Sequence, residues 1–339
     1  MKLLHWTLFV DLLGYQEING EVNDLQTAKQ LIEFMKSNVK IFERQNNDSK
    51  LKTYYAKSNF DLFSHYEISF AFISDSLIVS YSPNLELDFD EEVALSHSSN
   101  MLLILLQRLR LLIYKCISEK KMFLRGGISN HYSYIDGTFA VGKGVGAAYV
   151  AEAYQAKYPR VILADDVVQN TKLMKSINWL SNTMYNTSLI VDDNGTNYLD
   201  FNRFGRASVD ADSNNPFVVK NACANHIQYK EHINLEGGYL RVYKEAIEFQ
   251  ITKALLLKDS TDNQTQKLYK SLRDKYIWLS HYHNRSCMDF SNIKIALPGS
   301  FITKNPEAFK TFSELSRMIP EVTKFCINQN LLNQLEVSN

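Results

Sequence analysis

Apolar residues fill a short run near the N-terminus, residues 3–10, which contains the aromatic and β-branched stretch HWTLFV. This composition predicts a buried strand. Further along, apolar positions recur every three or four residues, which predicts an amphipathic helix; they are Leu25, Ala28, Ile32, Met35, Val39 and Phe42. Residues 45–65 are polar and predict a connecting loop.

The next apolar segments predict most of a sheet. EISFAFISDSLIVSYSP indicates a second and a third strand around a short turn at Ser74–Ser76, with Pro83 ending the unit. Residues 91–118 predict a helix that is apolar on most sides and therefore buried. FLRGGIS, YIDGTFAV and RVILA predict further strands. Before the last of these, an alanine-rich helix opens on three glycines, where small side chains permit close backbone approach; they are Gly142, Gly144 and Gly146.

The order β-α-β-β-α-β-β-α-β through about residue 170 predicts an α+β fold with a ferredoxin-like βαββαβ core. Residues 171–339 differ in pattern. SLIVDDNGTNYLDF predicts a hairpin with Asn194-Gly195 as its type I′ turn. Two helices over 236–258 and 262–284, a strand at IKIAL and a final helix are also expected; the final helix carries Phe309, Phe312, Leu315, Met318 and Ile319. We therefore expect a core over residues 1–170 and an additional C-terminal region of hairpin and helices over 171–339.

Composition narrows the class of protein. The 37 Lys and Arg residues equal the 37 Asp and Glu residues, which argues against a dedicated nucleic-acid binder. The stretch MLLILLQRLRLLIYKCI is interrupted by Gln107, Arg108 and Arg110, so it does not fit a membrane span. The four cysteines form no CxxC pair, which disfavours zinc and thioredoxin sites. We expect a cytoplasmic protein with reduced cysteines and with neither a nucleic-acid nor a membrane partner.

Two aspartates stand at places where a buried strand has no evident use for a charge. Asp11 follows the first strand, and Asp75 lies in the turn between the second and third strands. The first and third strands are neighbours in a ferredoxin-like sheet, so the two carboxylates should lie side by side. A divalent cation removes the repulsion of such a pair, and magnesium prefers one or two carboxylates together with substrate phosphates. Either aspartate alone is also explained as a turn residue or a helix cap.

The segment LLGYQ after Asp11 runs from the strand into a helix. The free N–H groups of a helix start suit phosphate, and Gly14 permits close approach of a ligand.

Four segments in order resemble the catalytic domain of class III nucleotidyl cyclases: FVDLLGYQ, FISDSLIVS, FLRGGIS and GKGVGAAYVAEAYQAKYPRVIL. More narrowly, they are similar to the pyrimidine nucleotide cyclases of bacterial Pycsar anti-phage systems. The segment KYIWLSHYHN of this chain also resembles the tail segment of that group. The resemblance covers roughly residues 3–170. It implies that residues 1–170 are the cyclase catalytic core, and that residues 171–339 pack on the core or on a dimer.

The resemblance also implies the reaction. Two Mg²⁺ or Mn²⁺ ions would be held by Asp11, Asp75 and the backbone carbonyl of Leu12. The ribose 3′-hydroxyl would attack the α-phosphate and release pyrophosphate. The product would be 3′,5′-cyclic UMP from UTP, or cyclic CMP from CTP, serving as an anti-phage messenger. The expected nucleotide-binding residues are Leu13, Gly14, Tyr15, Ser76 and Tyr149.

Members of the resembling family work as head-to-tail homodimers, which implies two active sites shared between subunits here. The sequence departs from the family at three positions. Gly146 and Val150 stand where the wider family has a transition-state Asn and Arg, and Ala71 stands at the position of the purine-reading lysine.

Positive charge must then come from other side chains, and we expect Arg125 and Lys143 in catalytic roles, with Arg160 as a further candidate. Each has a plainer explanation: a surface arginine beside a turn for Arg125, a solvated loop lysine for Lys143, and a residue at a strand start for Arg160. Tyr149 could likewise be a packed interface tyrosine.

Two other functions fit parts of the sequence. A degenerate cyclase fold that binds a nucleotide or scaffolds a partner would explain the missing Asn and Arg. A relative of dinucleotide-forming cyclases or palm polymerases would share the paired aspartates, but those proteins usually carry a Gly-Gly-Asp or Gly-Gly-Glu hairpin, whereas this hairpin reads Ile-Ser-Asp-Ser.

Overall fold

A computed structural model describes residues 1–43, 65–185, 187–205, 207, 222–287 and 290–301. The chain divides into two compact units, Met1–Ile295 and Ala296–Asn339. The strands of the first unit are β1 Trp6–Leu13, β2 Tyr66–Ile73, β3 Ser76–Pro83, β4 Phe123–Ser129, β5 Tyr134–Asp136, β6 Phe139–Val141, β7 Val161–Leu163, β8 Ile190–Asp193 and β9 Thr196–Leu199. Its helices include α1 Tyr15–Gly20, α2 Leu25–Val39, α3 Glu91–Lys120, α4 Lys143–Val150, α5 Asp165–Val168, α6 Thr171–Tyr185, α7 Ala222–Leu256 and α8 Asn263–Ser286.

Seven strands form one mixed sheet in the order β2-β3-β1-β4-β7-β9-β8. β1 pairs antiparallel with both β3 and β4, β2 pairs antiparallel with β3, and β7 lies parallel to β4. The α+β class is therefore confirmed. The first four strands, with helices in both crossovers, have the order that the ferredoxin-like prediction requires. The assignment of this core to the nucleotidyl cyclases goes beyond strand order and stays a prediction.

The sheet packs on a long apolar helix. α3 is buried along most of its length, as the sequence predicts, and five of its leucines are wholly inaccessible: Leu102, Leu105, Leu106, Leu109 and Leu112. Full burial of one such side chain is worth about 1.5–3 kcal/mol. The side of β1 that carries Leu8, Val10 and Leu12 is also buried, so this central strand is held firmly.

Two predicted strands differ in extent. β1 covers Trp6–Leu13 and not residues 3–10, because its last residues pair with neighbouring strands. Asp11 therefore lies inside the strand rather than after it. YIDGTFAV is not one strand but the separate β5-β6 hairpin. Gly137, with φ of +58°, makes the reversal possible.

The C-terminal region shows further differences. The type I′ turn is confirmed, since Asn194 and Gly195 both have positive φ. IKIAL is not a strand: a 3₁₀ turn, Ser291–Ile293, leads into irregular chain. The amide of Asn284 hydrogen-bonds both the N–H and the carbonyl of Ile295 and so replaces a partner strand.

The predicted two-part division of the chain stays a prediction. Its boundary at residue 170 falls within the first compact unit, between α5 and α6. α7 begins 14 residues before the predicted start, at residue 222 and not 236. The polar loop over 45–65 lies almost wholly outside the described residues, and the final helix at Phe309–Ile319 lies outside them entirely.

Candidate active site

Asp11 lies near the C-terminal end of β1, a strand in the interior of the sheet. Its neighbours across the sheet are Ser76 on β3 and Arg125 on β4. Successive side chains of a strand alternate between the two faces, and Phe9 packs edge-on against Tyr149 of α4 at 5.4 Å. Asp11, two residues after Phe9, therefore lies on the face of the sheet that α4 covers. Its side chain is 21% exposed.

Asp75 approaches the same point from the neighbouring hairpin. It lies in the two-residue turn that joins β2 to β3, after Ser74 with φ of +56°. The backbone N–H of Leu12 donates to the carbonyl oxygen of Asp75 at 3.0 Å. The N–H and C=O of one strand residue point to the same side, so the Leu12 carbonyl also faces this turn. The structure thus brings Asp11, Leu12 and Asp75 together.

The surroundings of Asp11 oppose its negative charge. Burial raises the pKa of the carboxyl, and the Glu152 and Asp75 carboxylates raise it further, against the attraction of Arg125 and Lys275. The resulting pKa is about 6. The ionised form of Asp11 is therefore destabilised, and an added cation would stabilise it.

Arg125 links Asp11 to a second, buried carboxylate. Its Nη2 lies 3.6 Å from Asp11 Oδ2, and its Nε donates to Glu152 Oε1. Glu152 is 4% exposed and lies in the π-helical turn Ala151–Gln155, which continues α4. Such turns often occur at functional sites. Glu152 thus fixes the Arg125 guanidinium beside Asp11.

The donor set fits a hard divalent cation. Two carboxylates and one carbonyl supply only oxygen ligands, which is the chemistry that magnesium and manganese prefer. Across the described ranges of the chain, no three His, Cys, Asp or Glu side chains group as a metal site. A metal here would therefore need Leu12 and a substrate phosphate to complete its coordination.

The segment after Asp11 runs from the strand into a helix, as predicted, but the helix is short. Leu13 is the last residue of β1, Gly14 has φ of +100°, and Tyr15 begins α1, a helix of only six residues. Gly14 is exposed, and Tyr15 is half-buried. Ser76 is half-buried opposite Asp11. The structure therefore places Leu13, Gly14, Tyr15 and Ser76 next to the aspartates.

Tyr149 and Lys143 lie elsewhere on α4. Tyr149 is 46% exposed above Phe9. Lys143 is exposed at the start of α4, where a Cβ on the next residue, Gly144, would lie 2.5 Å from Thr7 Oγ1. Thr7 is four residues before Asp11, about 13 Å along the strand. A single chain therefore does not bring Lys143 to Asp11.

Arg160 has a structural role. It is 5% exposed, its Nη1 donates to Asp193 at 2.7 Å, and its guanidinium lies 5.3–5.6 Å from the rings of Tyr158, Tyr198 and Trp278.

The positions that depart from the resembling family carry no charge into the site. Gly146 and Val150 are exposed on α4, and Ala71 is 1% exposed in an apolar cluster with Ile78 and Ile135.

Two charged residues at this site escape prediction from the sequence. Glu152 stands in an alanine-rich helix, where a glutamate indicates an exposed face. Lys275 lies on α8, far from Asp11 in sequence, and no local motif connects them. The helical pattern over 262–284 predicts the helix itself, and the segment KYIWLSHYHN, which contains Lys275, carries the resemblance to the cyclases, but neither places Lys275 beside Asp11.

Comparisons with known proteins do not show the family of this chain. No protein-family model and no curated protein matches this chain. One solved structure, described as "Crystal structure of the guanylyl cyclase Cya2", is 14% identical with a TM-score of 0.26, over 58% of this chain and 92% of that chain. A likeness of this size does not establish a shared fold. Among the described helices, none is long and apolar enough to cross a bilayer.

Proposed function

We propose that this chain is a metal-dependent pyrimidine nucleotide cyclase that converts UTP, or CTP, to the 3′,5′-cyclic monophosphate and pyrophosphate. The observation that carries the proposal is the meeting of Asp11, Leu12 and Asp75, where the Leu12 N–H bonds the Asp75 carbonyl and burial and nearby carboxylates resist the Asp11 charge. Crowded carboxylates with a raised pKa are typical of functional sites, and a bound cation would offset their repulsion.

Each group at the site has a role in this reaction. Two Mg²⁺ or Mn²⁺ ions on Asp11, Asp75 and the Leu12 carbonyl would lower the pKa of the ribose 3′-hydroxyl and neutralise the leaving pyrophosphate. Arg125, held by Glu152, presents a fixed guanidinium, and arginine binds phosphate oxygens well. Gly14 leaves room beside Leu13 and Tyr15 for the triphosphate, and Ser76 and Tyr149 would contact the nucleotide.

The proposed enzyme is a homodimer with two shared sites. Gly146 and Val150 offer no transition-state charge from α4, and Lys143 is distant from Asp11 within one chain. In a head-to-tail dimer the partner subunit's Lys143 would face Asp11 across the two-fold axis. Exposed apolar side chains on α4 and on the β5-β6 hairpin suit such an interface; Phe139 is 77% exposed and Val150 46%.

The proposed base is a pyrimidine. Ala71, buried among apolar side chains, cannot read a purine as a lysine there would. An anti-phage role in the cytoplasm follows from the resemblance to the Pycsar cyclases and forms part of the proposal.

The test is product analysis with matched carboxylate variants. The purified protein is incubated with each of the four nucleoside triphosphates and Mn²⁺, and the products are identified by mass. Asp11→Asn and Asp75→Asn should each lower cyclic UMP or CMP formation by more than about a hundredfold, since even outer-shell partners of a metal are worth 10–100-fold. Glu67→Gln, at an exposed carboxylate on β2, should keep the wild-type rate. Full activity in either aspartate variant contradicts the metal assignment.

A binding or scaffold protein is the second candidate, favoured by the uncharged Gly146 and Val150. It predicts that a nucleoside triphosphate binds but that neither a cyclic product nor pyrophosphate forms with any of the four. Linear or cyclic dinucleotides in the same assay would indicate a palm-type or dinucleotide-forming enzyme.

A further inference from the structure

Lys275 is carried to the candidate active site by the C-terminal helix α8. The next residue, Tyr276, packs near Phe123 at the start of β4, with ring centroids 6.4 Å apart. Trp278, three residues after Lys275, stacks on Tyr158 at 5.1 Å. These contacts hold this turn of α8 against the end of the sheet where Arg125 and Asp11 lie.

The α7-α8 pair is fixed at this end of the sheet by further contacts. The Gln250 amide of α7 donates to the carbonyl of Lys121, just before β4, at 3.1 Å. Lys253 of α7 pairs with Glu17 of α1. Tyr243 packs edge-on against Phe123 at 5.6 Å. The position of Lys275 therefore depends on several contacts and not on one flexible side chain.

The Lys275 ammonium group has no hydrogen-bond or ion-pair partner among the residues that the structure describes. The side chain is half-buried. Arg125, by contrast, already pairs with both Asp11 and Glu152. Burial and the nearby Arg125 charge lower the pKa of Lys275, while Asp11 raises it. A lysine beside a second cation, with no acceptor for its three N–H donors in the described part of the chain, is suited to bind an anion.

We infer that Lys275 binds the polyphosphate chain of the nucleoside triphosphate, in the same subunit as Asp11. The inference rests on the proposed function and deepens it. Arg125 and Lys275 then form a cationic pair next to the carboxylates, as a triphosphate with its metal ions requires. A lysine serving only to neutralise Asp11 would stand within ion-pair distance, where the structure instead has Arg125.

This inference gives the C-terminal region a role in substrate binding. β1 and the β2-β3 hairpin supply the oxygen ligands, β4 supplies Arg125, and α8 supplies the second cation. A nucleotide bound here would contact both the predicted core and the region after residue 170.

The test compares Lys275→Met and Lys275→Arg with Lys270→Met, a matched control at an exposed lysine on the same helix. Steady-state rates with UTP or CTP and Mn²⁺ give KM and kcat. Titration calorimetry with inorganic tripolyphosphate at low ionic strength, without metal, gives a binding constant independent of turnover. Thermal unfolding checks the fold, and Lys275→Gln replaces the methionine variant if that one unfolds.

Lys275→Met should raise KM at least about tenfold with a smaller change in kcat, and weaken tripolyphosphate binding by a similar factor, which corresponds to about 1.4 kcal/mol. Lys275→Arg should restore most of both, and Lys270→Met should match the wild type. An active Lys275→Met enzyme with unchanged KM and unchanged tripolyphosphate affinity overturns the inference and leaves the proposed function intact. A wild-type chain that forms no product overturns the proposed function, and the tripolyphosphate titration then decides on Lys275 by itself.

Discussion

The folded protein destabilises the ionised form of the Asp11 carboxyl group. Its folded-state pKa of about 6 lies above the ordinary value of 3.8, with burial as the largest cause. The folded state therefore binds a proton more tightly than the unfolded chain. The resulting stabilisation is full below pH 3.8 and is lost as the pH rises through about 6. At neutral pH the metal-free protein keeps an ionised Asp11 at a cost in stability.

Asp11→Asn should therefore stabilise the metal-free protein while abolishing activity. At pH 8 the gain in free energy of unfolding should be about 2 kcal/mol, because asparagine keeps the shape without the charge and Arg125 keeps Glu152 as a partner. The gain should shrink towards pH 5, where the wild-type carboxyl is protonated. Urea unfolding at both pH values measures it, with Glu67→Gln as the control. A gain equal at pH 5 and pH 8 contradicts the explanation by charge.

The sequence indicates some residues of this site and not others for a physical reason. Asp11 and Asp75 interrupt or follow apolar runs, so a local pattern reveals them, and the order of a ferredoxin-like sheet predicts that they meet. Glu152 reaches Arg125 through a π-helical turn that no periodicity signals. Lys275 depends on how α8 packs on β4, a tertiary contact between segments about 150 residues apart in sequence.

At the scale of elements, the contact between β4 and α4 positions Glu152 on Arg125. Gly127 of β4 lies directly beneath the helix: a Cβ there would come within 2.2 Å of the Ala148 carbonyl oxygen and 3.0 Å of the Glu152 nitrogen. Both are backbone atoms, so the helix would have to move. The close approach that the sequence predicts at the start of α4 is confirmed at Gly142 and Gly144 but is wrong at Gly146, where nothing lies within 4 Å of an added Cβ. Gly127, on the opposing strand, is a further close contact.

Gly127→Ala should lower the free energy of unfolding by about 1–3 kcal/mol. The folded variant should also lose cyclase activity, because a displaced α4 carries Glu152 away from Arg125. The matched control is Gly146→Ala on α4, where nothing lies within 4 Å of the added carbon. That change should be neutral or stabilising by up to about 1 kcal/mol, since alanine favours helix. Denaturant unfolding and the cyclase assay distinguish the two. Equal stability in both variants would mean that β4 and α4 do not pack this closely.

At the scale of the whole molecule, the described residues include an exposed apolar surface. Its apolar and aromatic side chains lie on α4, its π-helical extension, the β5-β6 hairpin and the segment before it, and all are more than two-fifths exposed: Tyr132, Tyr134, Phe139, Val141, Tyr149, Val150 and Tyr154. A patch of this kind is typical of a protein–protein interface. The proposed head-to-tail homodimer would cover this surface and would bring Lys143 of each chain towards Asp11 of the other.

Shared sites make a prediction that independent sites do not. Asp11→Asn and Lys143→Met chains should each be inactive alone, but in a mixture half of the dimers combine the two, and one of the two sites in each carries both Asp11 and Lys143. Unfolding and refolding the mixture together should therefore restore about a quarter of the wild-type rate. Asp11→Asn mixed with the Asp11→Asn/Lys143→Met double variant is the matched control and should stay inactive, because no chain then supplies Asp11.

Phe139→Asp in both chains should prevent the recovery by placing a charge in the apolar contact, and light scattering should then show a monomer. Recovery that survives in a monomeric Phe139→Asp pair would rule out a shared site.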